Sequence, residues 1–281
     1  MTIQGQDNAA PTPIQGRVGI LGAGRLGEAL LSGLLRSGAV TTDQVRATVR
    51  HETRAALLTQ GHGIEVSTDS AAVADWADIV VIAVKPQSLD GLFDQIAGHI
   101  HAGEPVISVV AGAPTKRFEK ALGEVPVVRV MSNVPVLVDE AMSAISPGAH
   151  AEESHLLLAE NFLSQVGRVV RLPEGDLDAV TALSGSGPAY FFLLAEAMID
   201  AGILLGLPRD VSTELIVQTM MGSAMMLRDT GRHPVELRES VTSPGGTTIA
   251  AIRVLEEQRV RAAFLNAIEA AMLRSKELGA E

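Results

Sequence analysis

Residues 17–35 read RVGILGAGRLGEALLSGLL, and this stretch decides the fold. Its start predicts a short buried strand, and the apolar residues after the glycines recur at helical spacing as far as Gly38. The segment GAGRLG, residues 22–27, lies between strand and helix and matches the pattern G-x-G-x-x-G. In that pattern the glycines permit a tight turn, close approach of a pyrophosphate and close helix packing. We therefore predict a dinucleotide site, with a glycine turn that binds nothing as the alternative.

The same alternation of strand and helix continues through the first part of the chain. Continuous β-branched runs such as IVVIAV at 79–84 are typical of strands buried on both faces. We predict an α/β Rossmann-type domain over residues 15–173, with a doubly wound, mostly parallel sheet. The predicted strands are 17–21, 45–49, 64–66, 79–84, 106–110, 125–131, 141–145 and 168–172.

Strand patterns stop after Pro173, and residues 174–281 read as helices separated by Gly-Pro and Pro-Gly pairs. These helices are apolar nearly all round, more than about a hundred residues can bury alone. We therefore predict an all-α domain that forms a homodimer through this half. The apolar run 179–207 contains Glu196 and Asp200, so a buried or interfacial helix is favoured over a membrane span.

Composition narrows the functional class. The chain is 47% hydrophobic and 20% charged, which is typical of a globular protein. Its net charge of −11, without any Lys/Arg-rich run, argues against a nucleic-acid partner. It has no cysteine, which fits the cytoplasm. Residues 1–14 are polar and are expected to form a flexible tail rather than a signal peptide.

Polar residues at the ends of predicted strands are candidates for cofactor contacts. Arg50 follows the second strand, where an acidic residue would hold the ribose of NAD, and an arginine there suits the 2′-phosphate of NADPH. The alternatives are that Arg50 is a solvated loop residue and that Glu52 serves a ribose hydroxyl. Asn133 can offer its amide to the nicotinamide or cap a turn. The predicted cofactor-binding residues are Gly22, Ala23, Gly24, Arg25, Leu26, Gly27, Arg50, Ala83, Val84, Lys85, Pro86 and Asn133.

The segment SPGGTT, residues 243–248, is the main candidate for a second ligand. Two glycines followed by hydroxyl residues at a helix start expose backbone N–H groups, which suit a carboxylate. An ordinary capped helix after a Pro-Gly turn is the alternative. The histidines form no spaced set with carboxylates, so no metal site is predicted.

Together these motifs resemble the pyrroline-5-carboxylate reductase family over nearly the whole chain. The matching segments are GAGRLG (22–27), AVKPQ (83–87), SGSGPAYFF (184–192) and VTSPGGTTIAAIRVLE (241–256). The resemblance implies reduction of 1-pyrroline-5-carboxylate to L-proline with NADPH, NADH being the alternative cofactor. It also implies an interleaved dimer that assembles further into rings such as a decamer, and an active site between one subunit's cofactor domain and helices of the dimer.

Carried over by position, the resemblance gives roles to the 243–248 loop. Its substrate-binding residues would be Ser243, Gly245, Gly246, Thr247 and Thr248, with the Thr248 hydroxyl near the ring nitrogen as the catalytic group. The family usually has Met-Pro-Asn-Thr-Pro where this chain has MSNVP at 131–135, so a hydroxyl near the nicotinamide is lost.

Two other functions are compatible with a fold of this kind. One rival is a β-hydroxyacid dehydrogenase or a general imine reductase, which share a similar layout. An enzyme acting on hydroxy acids would want a lysine or another acid–base residue on the helical domain, and Lys276, near the C-terminus, is the only lysine after Lys120, which disfavours this rival. A non-catalytic NADP sensor would not need the 243–248 loop intact.

Overall fold

The structure is a computed structural model that describes residues 12–280, and the chain divides into two compact units. The first unit contains the described residues 12–185 and 272–280, and the second is Ser186–Ala271. The first carries all the strands found in the described residues, and the second is helical. The predicted fold class, an α/β domain followed by helices, is confirmed.

The strands follow the predicted order along the chain. They are β1 Val18–Leu21, β2 Val45–Thr48, β3 Glu65–Ser67, β4 Ile79–Ile82, β5 Val106–Ser108, β6 Val127–Met131, β7 Ala141–Pro147 and β8 Gly167–Arg171. The predicted fourth strand ran to Val84, but β4 ends at Ile82. Ala83 and Val84 pack against the glycine turn instead, within reach of the positions a Cβ would take on Gly22 and Gly27.

Helices lie between most of these strands. The first unit contains α1 Arg25–Ser37, α2 Glu52–His62, α3 Ser70–Trp76, α4 Leu89–Ile96, α5 Thr115–Leu122, α6 Glu153–Ser164 and α7 Leu177–Val180. A π-helical turn, Thr181–Gly185, follows α7. The later helices are α8 Gly187–Leu204, α9 Arg209–Thr230, α10 Pro234–Ser240, α11 Thr247–Glu257 and α12 Val260–Ala280, whose end belongs to the first unit.

The sheet has the order β3-β2-β1-β4-β5-β6-β7-β8. Strands β1 to β6 are parallel, β7 is antiparallel to β6, and β8 is parallel to β7. The chain order reverses between β1 and β4, so a crevice opens at that point outside the carboxyl ends of the strands. The predicted dinucleotide turn at residues 22–27 lies at this reversal.

Apolar helix faces cover both sides of the sheet. On one side α1, α2 and α6 pack against it, with Leu30, Leu58 and Phe162 fully or almost fully buried. On the other side α3, α4 and α5 contribute Val73, Phe93 and Phe118 to a second cluster. Because both faces are covered, the strands can be apolar throughout, which is the pattern that predicted a doubly wound sheet.

The second unit buries very little by itself. Among its described residues only Gly187 and Ser212 are buried, so no large apolar side chain is. The segment Glu174–Leu204 is apolar and long enough to cross a membrane by length and composition alone, and only 6% of its most apolar window is buried. A helix buried within the chain itself is therefore the wrong prediction for this segment, and the interfacial alternative remains.

The predicted flexible tail covered residues 1–14. Residues 1–11 lie outside the described part of the chain, whereas Ile14 is 1% exposed and its backbone N–H donates to the Ala39 carbonyl at 2.8 Å. Residues 12–14 thus belong to the first unit, because Ile14 fills a place in the core beside α1 that its polar neighbours in the sequence did not suggest.

Candidate functional site

The glycine turn between β1 and α1 has the backbone that its sequence predicted. Gly22 has a φ of 98°, and a Cβ on it would lie 2.7 Å from Val84 Cγ1. A Cβ on Gly27 would lie 2.5 Å from the Gly22 carbonyl oxygen. Side chains at these two positions would therefore force the turn away from β4. The tight turn and the close packing assigned to the first and third glycines are both present.

Gly24 is different, because a Cβ on it would meet no atom within 4 Å. It is the N-cap of α1, with φ −76° and ψ −161°, and provides no side-chain cap. The next residues, Arg25, Leu26 and Gly27, form the first helical turn, whose N–H groups have no preceding helical carbonyl to bind. An open backbone at a positive helix end fits a pyrophosphate, so the residues present suit the expected dinucleotide.

A cleft of about 730 Å³ opens in front of this turn. Seven of the predicted cofactor residues line it, namely Gly22, Ala23, Gly24, Arg50, Ala83, Val84 and Lys85. Arg25, Leu26, Gly27 and Pro86 are not in its lining, although they adjoin residues that are. Ligands of open α/β sheets bind outside the carboxyl ends of the strands, and these residues accordingly come from three different loops that line one cleft within the first unit.

Several lining residues were not among the predicted cofactor-binding residues. They are Thr48, Val49, His51, Arg54, Thr68, Ser70, Gln87, Ser88, Gly91, Leu92 and Gln95. Most of them follow the ends of β2, β3 and β4, so the strand-end argument would have found them had it been applied to every strand. Gly91, Leu92 and Gln95 belong to α4, whose direction relative to the cleft no local pattern indicates.

The charged residues at the β2 end of the cleft differ in the partners that they bind. The Arg50 guanidinium donates to the hydroxyl of Ser88, a neutral partner. Arg54 is instead paired with the carboxylate of Glu28, and Glu52 accepts a 2.6 Å hydrogen bond from the Thr68 hydroxyl. Neither carboxylate lines the cleft, so neither neutralises Arg50 there, and its guanidinium can bind an incoming anion.

Asn133 lies apart from this cleft, after the end of β6. Its Nδ2 donates to both the carbonyl and the hydroxyl of Ser184, each at 3.2 Å, and its Oδ1 accepts from the Met142 N–H at 2.9 Å. Asn133 thus ties the end of β6 to the π-helical turn that contains Ser184.

The 243–248 loop lies in the second unit and leads into α11. Gly245 has a φ of 69°, and Gly246 is the N-cap of α11 without a side-chain cap. A Cβ on Gly246 would overlap Ser243 Oγ, so the serine packs where only glycine fits. Thr247 and Thr248 begin the helix. The predicted features of a carboxylate site, an open helix start flanked by hydroxyls, are therefore present in this loop.

Comparison with known proteins identifies relatives along nearly the whole chain. A family model described as pyrroline-5-carboxylate reductase dimerisation matches residues 174–278, and one described as NADP oxidoreductase coenzyme F420-dependent matches residues 17–112. A pyrroline-5-carboxylate reductase from Methanosarcina acetivorans is 45% identical over 264 residues, which cover 94% of this chain and 98% of that protein.

Solved structures agree with the sequence relatives. A pyrroline-5-carboxylate reductase from Coxiella burnetii is similar with a TM-score of 0.88 and 33% identity, covering 94% of this chain and 98% of that one. The pyrroline carboxylate reductase of Plasmodium falciparum, solved with NADP bound, has a TM-score of 0.86 and 27% identity over 95% of this chain and 99% of its own.

The open space at Gly24 leads to a test of the cleft. Gly24→Ala should leave folding intact, because its φ suits alanine and its Cβ meets nothing, yet the methyl would occupy the pyrophosphate approach. We expect the dissociation constant for the dinucleotide to rise about tenfold or more, a loss of ~1.4 kcal/mol. Isothermal titration calorimetry measures the affinity, and urea unfolding checks the fold.

Gly61→Ala is the matched control for this variant. Gly61 lies on α2, outside the cleft lining, and a Cβ there also meets nothing within 4 Å. It should bind the dinucleotide as the parent does. Equal affinity in both variants would mean that the pyrophosphate does not approach Gly24.

Proposed function

Because the chain belongs to the pyrroline-5-carboxylate reductase family, we propose that its cleft holds NADPH and that its 243–248 loop holds the substrate. The chain reduces 1-pyrroline-5-carboxylate to L-proline with NAD(P)H, the last step of proline biosynthesis. The observation that carries the assignment is the match to relatives of that name over nearly the full length of both proteins.

The cofactor residues that we propose follow from the glycine turn. The pyrophosphate would bind at Gly24 and the first N–H groups of α1, with Lys85 supplying a positive charge from the end of β4. When bound, NAD(P)H supplies a hydride to the imine carbon. The protein's part is to orient the two ligands and to exclude water, since the hard chemistry belongs to the cofactor.

We propose that Arg50 favours NADPH over NADH. Its guanidinium contacts only the neutral Ser88 hydroxyl among the side-chain partners found, so a 2′-phosphate can accept from it without breaking an ion pair. Glu52, which could serve the ribose hydroxyl of NADH, is engaged by Thr68 and does not line the cleft. A guanidinium is well matched to phosphate by its fork of donors.

For the substrate we propose the 243–248 loop. The carboxylate of 1-pyrroline-5-carboxylate would accept from backbone N–H groups at the start of α11, with Ser243, Gly245, Gly246 and Thr247 shaping the loop. The Thr248 hydroxyl would orient the ring nitrogen. A protonated imine can arrive from solution, so the site needs no strong general acid.

The helical region, which we take to begin at residue 174, is proposed to pair with the same region of a second copy. The exposed apolar side chains of the second unit and the family model over 174–278 support a homodimer. Further assembly into a ring such as a decamer, a location in the cytoplasm, and the absence of nucleic-acid and membrane partners are also proposals. The division into residues 15–173 and 174–281 is proposed as the functional one.

The first test is turnover by the purified protein. We expect NADPH to be oxidised when 1-pyrroline-5-carboxylate is added, more slowly with NADH, and no reduction of NADP by a 2-hydroxy acid. The fall in nicotinamide absorbance reports the rate. Tight NADPH binding without imine-dependent oxidation would instead support a sensor.

Replacing Arg50 tests the basis of cofactor choice. Arg50→Ala should raise the KM for NADPH about tenfold to a hundredfold, as expected for losing a hydrogen bond to a charged group worth ~1.5–3 kcal/mol. The KM for NADH should stay unchanged. Arg46→Ala is the control, since Arg46 lies on β2 outside the cleft and pairs with Glu65. Equal losses with both cofactors would rule out a 2′-phosphate contact.

Replacing Thr248 tests the substrate site. Thr248→Ala should lower kcat about tenfold or more, through a hydrogen bond to the ring nitrogen worth ~1.5 kcal/mol, while NADPH binding persists. Thr213→Ala is the control, because within the described part of the chain the Thr213 hydroxyl donates to the Arg209 carbonyl at the start of its own helix, α9. Full turnover by Thr248→Ala would show that this hydroxyl takes no part.

A further inference from the structure

The amide nitrogen of Asn133 is directed at Ser184 in this structure. The Met142 backbone N–H can only donate, so the amide oxygen of Asn133 must face it. The amide nitrogen then faces Ser184 and donates to the Ser184 carbonyl and hydroxyl. These contacts direct the amide nitrogen at Ser184 and not at a nicotinamide, which is the role that the sequence suggested.

The Ser184 carbonyl needs such a donor for a covalent reason. In a continuing α-helix it would accept from the residue four positions later, which is Pro188, and proline has no N–H. The next donor, the Ala189 N–H, is already bound to the Ser186 carbonyl at 3.0 Å. The π-helical turn before Pro188 thus leaves the Ser184 carbonyl without its α-helical donor, and Asn133 donates to this carbonyl across 51 residues of sequence.

A second contact fixes the same turn. A Cβ on Gly185 would overlap the terminal methyl of Met131, so the Met131 side chain packs directly on the backbone of Gly185. Met131 is the last residue of β6, two positions before Asn133. The end of β6 therefore holds the π-helical turn both by hydrogen bonds and by packing. The residues held are Ser184 and Gly185, within the SGSGP segment of 184–188.

The contacts of Met131 and Asn133 with Ser184 and Gly185 are here called the clamp. The position of β6 in the sheet relates this clamp to the reaction. The chain order reverses between β1 and β4. If Arg50, which lines the cleft, binds the 2′-phosphate as proposed above, the β2 side holds the adenosine end of the cofactor. The nicotinamide end then falls on the opposite side, toward β4, β5 and β6. The carboxyl end of β6 is at the same edge of the sheet as the glycine turn, because these strands are parallel.

We propose that Asn133 is a positioning residue that acts through the π-helical turn, rather than a contact to the cofactor. By donating to the Ser184 carbonyl, it keeps Ser184 and Gly185 in place at the nicotinamide end, where the imine must meet the hydride donor. This inference rests on the proposed function, and it predicts that loss of the clamp slows the chemical step without weakening NADPH binding.

The test is Asn133→Asp, which keeps an oxygen for the Met142 N–H and loses both donors to Ser184. We expect kcat to fall about a hundredfold, the size of loss produced by a displacement on the order of 1 Å. The dissociation constant for NADPH, measured by calorimetry in the absence of substrate, should change less than about twofold, because binding energy that acts only in the transition state leaves ground-state affinity alone. The kinetic isotope effect with NADPH deuterated at C4 should rise, since hydride transfer becomes rate-limiting.

Ser132→Ala is the matched control at the same strand end. Ser132 accepts a 2.9 Å hydrogen bond from the Ser143 hydroxyl and does not contact Ser184 in any hydrogen bond found there. It should lose some stability and keep its kcat and isotope effect. Turnover by the wild-type protein separates the two hypotheses. The proposed function fails if the wild type does not reduce the imine, whereas the clamp proposal fails if the wild type reduces it and loss of the clamp leaves kcat unchanged.

Ser184→Ala decides the question if Asn133→Asp does not fold. It removes one of the two acceptors and leaves the carbonyl contact, so kcat should fall about threefold or more, in keeping with one neutral hydrogen bond, with NADPH affinity unchanged. The clamp proposal is overturned by weaker NADPH binding at normal kcat, which would restore the contact role. It is equally overturned if the variant that folds loses stability alone and keeps the parent kcat and isotope effect.

Discussion

The close approach of the β1–α1 turn to the end of β4 is the constraint on which the rest of the first unit depends. Gly22 and Gly27 have no room for a Cβ, and their neighbours are Ala83, Val84 and the turn's own backbone. Because the turn lies this close, α1 begins at the crevice between β1 and β4 rather than above it. The same approach ends β4 early and directs the residues after it, including Lys85, into the cleft.

Charge at the cleft opposes the charge of the whole chain. The net charge is −11, yet the cofactor is an anion, so attraction has to be local. Among the described residues that line the cleft there are two arginines, a lysine and no carboxylate. The nearby acids are turned to other partners, Glu28 to Arg54 and Glu52 to Thr68. An open helix N-terminus adds a positive end that no mobile side chain has to supply.

Local patterns predicted the elements well, and long-range contacts account for what they missed. The apolar runs predicted the strands in order, because a strand that is buried on both faces consists of consecutive apolar residues. The glycine turn could be predicted because each glycine satisfies a local steric requirement. By contrast, the Asn133–Ser184 pair joins residues 51 apart, and nothing at residue 133 indicates that its donors are already used. The reversal of β7 and the burial of Ile14 likewise depend on neighbours distant in sequence.

The helical unit contains both the proposed substrate loop and the surface of the proposed assembly. Its described residues bury no large apolar side chain, and the family model of pyrroline-5-carboxylate reductase dimerisation covers them, so the proposed pairing with a second copy would supply most of the hydrophobic stabilisation of this unit. The 243–248 loop belongs to that unit, and its geometry depends on α11 being formed. A site built from hydroxyls and backbone N–H groups has no strongly basic or acidic side chain to compensate for imprecise placement. The catalytic power of such a site would come from rigid positioning, and that rigidity would depend on the proposed association that buries the helices.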